Sequence, residues 1–100
     1  MLGSVMNMQL SSSIIRDGSQ TVLVFEGEID LATVPTCSDM LTKFVDDHPE
    51  SNISVDLRQV TALDDVGVGV ILGAVARART AGSQLALVID DPQMRVRFGL

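Results

Sequence analysis

The stretch Thr61–Gly73, T-A-L-D-D-V-G-V-G-V-I-L-G, sets two adjacent carboxylates, Asp64 and Asp65, directly before a run with no polar side chain. Carboxylates at a helix start accept the orphan N–H groups of the first turn and complement the helix dipole. The pattern therefore predicts a helix over Val66–Thr80, entered through Asp64 and stopped at Gly82. From Val66 to Ala76 that helix is apolar all round. Such a helix is either wholly buried or turns one apolar face to a partner. A chain of 100 residues rarely covers a helix on every side. The expectation is one face on a sheet and one face for a partner, edged by Asp64 and Asp65. The glycines of this run, Gly67, Gly69 and Gly73, are spaced G-x-G-x-x-x-G. That is neither the dinucleotide fingerprint nor a phosphate-binding loop, which needs Gly-Lys-Ser/Thr. Each glycine costs a helix about 1 kcal/mol relative to alanine. Accepting that cost repeatedly predicts a close approach of the helix start to the sheet.

Outward from this helix, strands and helices alternate. Met8–Ile15 reads as a first strand, and Arg16-Asp17-Gly18-Ser19 as a hairpin turn with Gly18 at positive φ. Thr21–Glu26 is β-branched and aromatic and contains a continuous apolar run, as in a strand buried on both faces, and Gly27 is expected to break it. Thr33–Val45 is a helix capped by Thr33, with Pro35 in its first turn and a stripe of Val34, Cys37, Leu41 and Phe44. His48-Pro49 is a turn. Ile53, Val55 and Leu57 alternate with polar residues in a third strand, and Leu85–Ile89 is a fourth. Asp91-Pro92 starts a last helix, still running at Leu100. The order β-β-α-β-α-β-α implies a mixed, mostly parallel sheet of four to five strands with right-handed crossovers. The whole chain, 1–100, reads as one α/β domain that ends inside its C-terminal helix.

Composition narrows the function. The chain has 46% apolar residues but no Trp or Tyr, so its core is aliphatic with three Phe. A net charge of −6 argues against nucleic acid and anionic membrane, which call for clustered Lys and Arg. Cys37 is the only cysteine, so no internal disulfide forms, as suits a reducing cytosol. The opening M-L-G-S-V-M-N-M-Q shows no secretory signal, and the longest apolar run, eleven residues, is too short for a bilayer, which takes about 20. No Ser/His/Asp or Cys/His set is present. Asp56, Asp64 and Asp65 are carboxylates that could meet at strand ends, but no His or Cys completes a metal site. Cys37 and His48 carry no assigned chemistry.

These residues resemble a known family. L-D-D-V-G-V-G-V-I-L-G resembles the signature of the STAS domain of bacterial anti-sigma-factor antagonists, in which an Asp leads into Ser, a second hydroxyl residue and Gly. G-E-I-D, Gly27–Asp30, looks like the family's G-x-L-D, and V-D-L-R-Q-V, Val55–Val60, its third strand. Pro92–Leu100 resembles the family's next helix start and final Gly-Leu. The resemblance implies a STAS-like fold and a non-enzymatic, cytoplasmic interaction module without cofactor or metal. Its partner would be an anti-sigma factor with a kinase-like ATP-binding fold, whose capture frees a sigma factor. The residues it implies for partner binding are Asp30, Asp64, Asp65, Val66, Gly67, Val68 and Gly69. Asp65 matches the serine phosphorylated by the cognate kinase and Val66 the second hydroxyl residue, so a serine kinase has no target there. Asp65 then either mimics the phosphorylated state or faces a basic residue of an adapted partner. Two other readings stand beside this one: a STAS-like accessory subunit of a transport or stress-signalling complex, and a small enzyme or nucleotide-binding protein using Asp56, Asp64 and Asp65. Either the sequence is cut short inside its last helix, or the apolar surface left uncovered there is expected to promote self-association.

Overall fold

A computed structural model describes residues 10–100. Its elements are β1 (Leu10–Asp17), β2 (Gln20–Ile29), α1 (Val34–Asp46), β3 (Asn52–Leu63), α2 (Asp65–Thr80), β4 (Gln84–Val88) and α3 (Pro92–Arg97). The element order is the expected one. The sheet runs β1-β2-β3-β4, with β1 antiparallel to β2 and the two other pairings parallel. Met8 and Gln9 of the expected first strand lie outside the described residues. Asp17 pairs with Gln20 across a two-residue turn, and Gly18 takes φ +63° there as expected.

Residues alternate faces along a strand. Leu23 and Phe25 of β2 and Ile53, Val55 and Leu57 of β3 point to one face. There they join Cys37, Leu41, Phe44 and Val45 of α1 and Val68, Ile71, Ala74 and Ala78 of α2 in a single aliphatic core. The stripe read from the sequence of α1 is this buried face, with Val34 half-covered. Cys37 is fully buried, and burial pushes its thiol up to about 11, so it is an unreactive core residue. Arg77 of α2 donates from Nε and Nη2 to the Asp46 carboxylate of α1, both at 3.0 Å, fastening the two helices at an exposed site.

Three expectations are corrected. Gly27 does not end β2: the strand continues to Ile29, and Gly27 adopts φ +112° at a register shift where β3 carries the extra residue Thr61. Thr33 is the N-cap residue of α1, but its side chain makes no cap bond. Its Oγ1 instead donates to the Glu28 carbonyl at 2.9 Å, while the Asp30 carboxylate accepts from the Ala32 and Thr33 N–H groups. In β3 the polar residues that alternate with Ile53, Val55 and Leu57, Ser54 and Asp56 on the face away from the helices, are also buried, because the strand is central in the sheet. Their polar atoms are satisfied locally, Ser54 Oγ donating to Gln20 Oε1 at 2.8 Å and Asp56 pairing with Arg58. Lastly, α3 ends at Arg97. The Gly99 N–H donates to the Val96 carbonyl and the Leu100 N–H to the Arg95 carbonyl, with Gly99 at φ +78°, which closes the helix in a Schellman motif.

His48 lies in the turn after α1. Its Nδ1 is 2.7 Å from the Phe44 carbonyl and its ring tilts against that of Phe44, so it occupies one of the carbonyls left free at the helix end.

Candidate functional site

The three helices start at one edge of the sheet, where β2, β3 and β4 end, and each start is built on an aspartate. Asp30 shapes the approach to α1. Asp64 is the N-cap of α2, as expected: its Oδ1 accepts the Val66 N–H at 3.0 Å. Asp91 Oδ1 accepts the Gln93 N–H at 2.9 Å, with Pro92 in the first turn of α3. The first two starts are tied together, since the Asp64 N–H donates to the Ile29 carbonyl at 2.8 Å. Crevices at the carboxyl ends of parallel strands are the usual binding positions of open α/β sheets.

α2 divides into two faces. Gly67, Val68, Ile71, Ala74 and Ala78 are buried, while Val66, Gly69, Leu72, Gly73 and Ala76 are exposed. Val66 is 47% exposed at the head of the outer face. Leu31, in the loop before α1 at the same edge, is 70% exposed. The sequence reading passed over Leu31 because a single leucine in a loop has no periodicity to mark it.

The glycines separate into two kinds. A Cβ on Gly67 would lie 2.6 Å from Ile29 Cγ2 and 3.1 Å from Leu63 Cδ1, so this glycine does let the helix start approach the sheet. The same expectation fails for Gly69 and Gly73, where a Cβ would meet nothing within 4 Å. Among the described residues nothing requires a glycine at either place. Gly69→Ala and Gly73→Ala are therefore expected to stabilise the fold, each by up to about 1 kcal/mol, raising the thermal midpoint in a melting experiment.

The sequence-predicted residues Asp30, Asp64, Asp65, Val66, Gly67, Val68 and Gly69 fall in the loop before α1 and the first turns of α2, but in different situations. Gly67 and Val68 are core residues. Asp30 and Asp64 are committed to backbone N–H groups. Asp65, Val66 and Gly69 are at the surface. Asp65 Oδ1 accepts from Arg97 Nη2 of α3 at 2.8 Å. Arg97 could not be foreseen, because it lies 32 residues away.

Asp56 is not brought to this edge. It sits within β3, on the face away from the helices, where Arg58 Nη2 donates to its Oδ2 at 2.8 Å and Arg58 Nε to its Oδ1 at 3.1 Å. The register shift after Asp56 frees the Arg58 backbone N–H from the ladder, and this too donates to Asp56 Oδ1, at 2.9 Å. The Arg58 guanidinium holds the Asp56 carboxyl below its ordinary value against the opposing effect of burial. Asp56 therefore does not join Asp64 and Asp65, as the reading of a small enzyme would require. Among the described residues no group of three or more His, Cys, Asp or Glu is placed to hold a metal ion, and no helix is long and apolar enough to cross a membrane.

A family model described as STAS domain matches residues 9–99 of this chain. Among solved structures, the chain is similar to an anti-sigma factor antagonist from Mycobacterium paratuberculosis, at 21% identity and TM-score 0.77, covering 91% of this chain and 76% of that one. It is similar to the anti-sigma factor antagonist SpoIIAA in its unphosphorylated form, at 18% identity and TM-score 0.69, covering 89% and 82%. It is also similar to the phosphorylated form of SpoIIAA, described as a Bacillus cell fate determinant, at 17% identity and TM-score 0.65, covering 89% and 81%. At these identities the likeness establishes a shared fold.

Proposed function

Since this chain belongs to the STAS domain family, we propose that it is a bacterial, cytoplasmic anti-sigma factor antagonist, a non-enzymatic module that captures an anti-sigma factor of kinase-like ATP-binding fold and so frees a sigma factor. The observation that carries this reading is the outer face of α2. Val66 and Leu72 are exposed beside two glycines that nothing among the described residues requires, and exposed Leu31 stands at the same edge of the sheet. Apolar surface beside small residues admits close approach by a partner. Asp65 stands where the phosphorylated serine of such proteins would be, so the interaction is not switched by a serine kinase at that residue.

The test is direct binding to purified kinase-type anti-sigma factors from the source genome, by calorimetry. Val66→Glu is expected to weaken binding about tenfold or more, because a carboxylate in a desolvated apolar contact costs about 1.4 kcal/mol or more. The fold should change by no more than about 0.5 kcal/mol, since the site is on the surface. Gly69→Ala should weaken binding while raising stability, a combination that a purely structural glycine would not give. Co-purification with a membrane ATPase in place of an anti-sigma factor would move the assignment to a STAS-like accessory subunit.

A further inference from the structure

The edge that begins the three helices carries Asp30, Asp64, Asp65, Asp90 and Asp91. A surface with five carboxylates would be expected to select a basic partner. Most of that charge is already engaged within the chain. Asp30, Asp64 and Asp91 each accept backbone N–H groups at helix starts. Asp65 caps nothing, and its one described hydrogen bond is to Arg97.

The two ends of that bond differ. The Asp65 side chain is 96% exposed, whereas that of Arg97 is 37% exposed. Arg97 lies along a shallow cavity with Thr61, Leu63 and Met94, so its guanidinium is delivered to Asp65 from a partly packed stem. Phe98, the next residue, is buried in the core and holds this end of α3 against the sheet. An arginine anchored in this way loses less freedom on pairing than one standing free in water.

We propose that Arg97 is a specificity-determining residue of the α2 docking face: it cancels the Asp65 charge from within the chain, so the face accepts a partner whose matching surface is apolar and uncharged and which brings no basic residue of its own. This rests on the antagonist reading above and deepens it. Asp65 then acts neither as a phosphate mimic nor as a lure for a basic partner. Removing Arg97 leaves a bare carboxylate at the rim of the contact, and that carboxylate must lose water without compensation when the partner docks.

The experiment pairs two readouts on native chain, Arg97→Ala, Asp65→Ser and the double variant Asp65→Ser/Arg97→Ala. In the free protein, the side-chain ¹⁵N resonances of Arg97 are compared between native and Asp65→Ser. In binding, the affinity for the purified kinase-type anti-sigma factor that the native chain captures is measured by calorimetry. The Arg97 resonances are expected to move on Asp65→Ser. Arg97→Ala is expected to weaken binding by roughly three- to tenfold, and the double variant to bind as Asp65→Ser does. Unmoved Arg97 resonances, an unchanged affinity for Arg97→Ala, or a double variant as weak as Arg97→Ala would each overturn the proposal while leaving the antagonist reading in place. Absence of binding by the native chain to every such anti-sigma factor would overturn the antagonist reading and the role of Arg97 with it.

Discussion

Gly67→Val is expected to be among the most destabilising single substitutions at a residue with no side chain of its own. A Cβ at this position falls 2.6 Å from Ile29 Cγ2. That methyl cannot swing away, since Ile29 is β-branched and fully buried. The helix start cannot retreat freely either, because the Asp64 N–H is bonded to the Ile29 carbonyl. Overpacking of this kind costs about 1–3 kcal/mol for a first methyl and more for three carbons. Gly67→Ala recovers about 1 kcal/mol in helix propensity, so its net loss is smaller. Gly67→Val recovers less and adds two methyls. Thermal melts should show Gly67→Val many degrees below native, at about 4–8 °C for each kcal/mol in a domain of this size. Gly67→Ala should fall between the two, and Gly69→Ala and Gly73→Ala above native. If all three alanine variants shift together, the contact with Ile29 does not set the position of α2.

The second large effect concerns the pair inside the sheet. Asp56 has only 9% of its side chain exposed, and Arg58 is its ion-pair partner. Arg58→Leu is expected to destabilise the chain markedly at neutral pH, because it strands a buried carboxylate. The pH dependence identifies the cause. In the native chain the folded carboxyl titrates below its ordinary value of 3.8. Its contribution is therefore complete above that value and is lost as the pH falls through it towards the lower folded value. In Arg58→Leu the backbone N–H of residue 58 still donates to Asp56, but burial outweighs it and raises the folded value, so acid no longer removes a favourable term. Denaturant midpoints of native and variant should stand well apart at pH 7 and converge as the pH falls below about 4. Asp56→Leu/Arg58→Leu should recover much of the loss at pH 7, since an apolar pair leaves no charge uncompensated. A gap of equal size at both pH values would place the damage in lost packing of the Arg58 stem. Exposed pairs such as Arg77–Asp46 are common to both chains and drop out of the comparison.

Much of the edge where the helices start was legible because its signals are local. A carboxylate before an apolar run, a proline after an aspartate and a glycine after a last helical turn each act within a few residues. Asp64, Asp91 and Gly82 accordingly do what their neighbours in the chain predict: two cap helices, and Gly82 ends α2 at φ +79°. The Thr33 reading failed for an equally local reason. Pro35 has no N–H to offer a cap side chain in the first turn, and the Thr33 hydroxyl instead donates to the Glu28 carbonyl and accepts the Asp30 N–H.

The sequence by itself determined the order of the seven elements, the single mixed sheet and the face of α1 that enters the core. Periodicity, turn chemistry and capping are properties of neighbouring residues, and they survive without knowledge of what lies across the sheet. Only the tertiary structure decided which glycine of three is pressed against Ile29, why polar Ser54 and Asp56 are buried in the central strand, and which residue answers Asp65. Each of these depends on elements brought together over tens of residues: β2 beside α2, β3 between β2 and β4, and α3 folded back so that Arg97 reaches the first turn of α2. Burial and ion pairing are relations between surfaces, and those surfaces exist only once the sheet has closed.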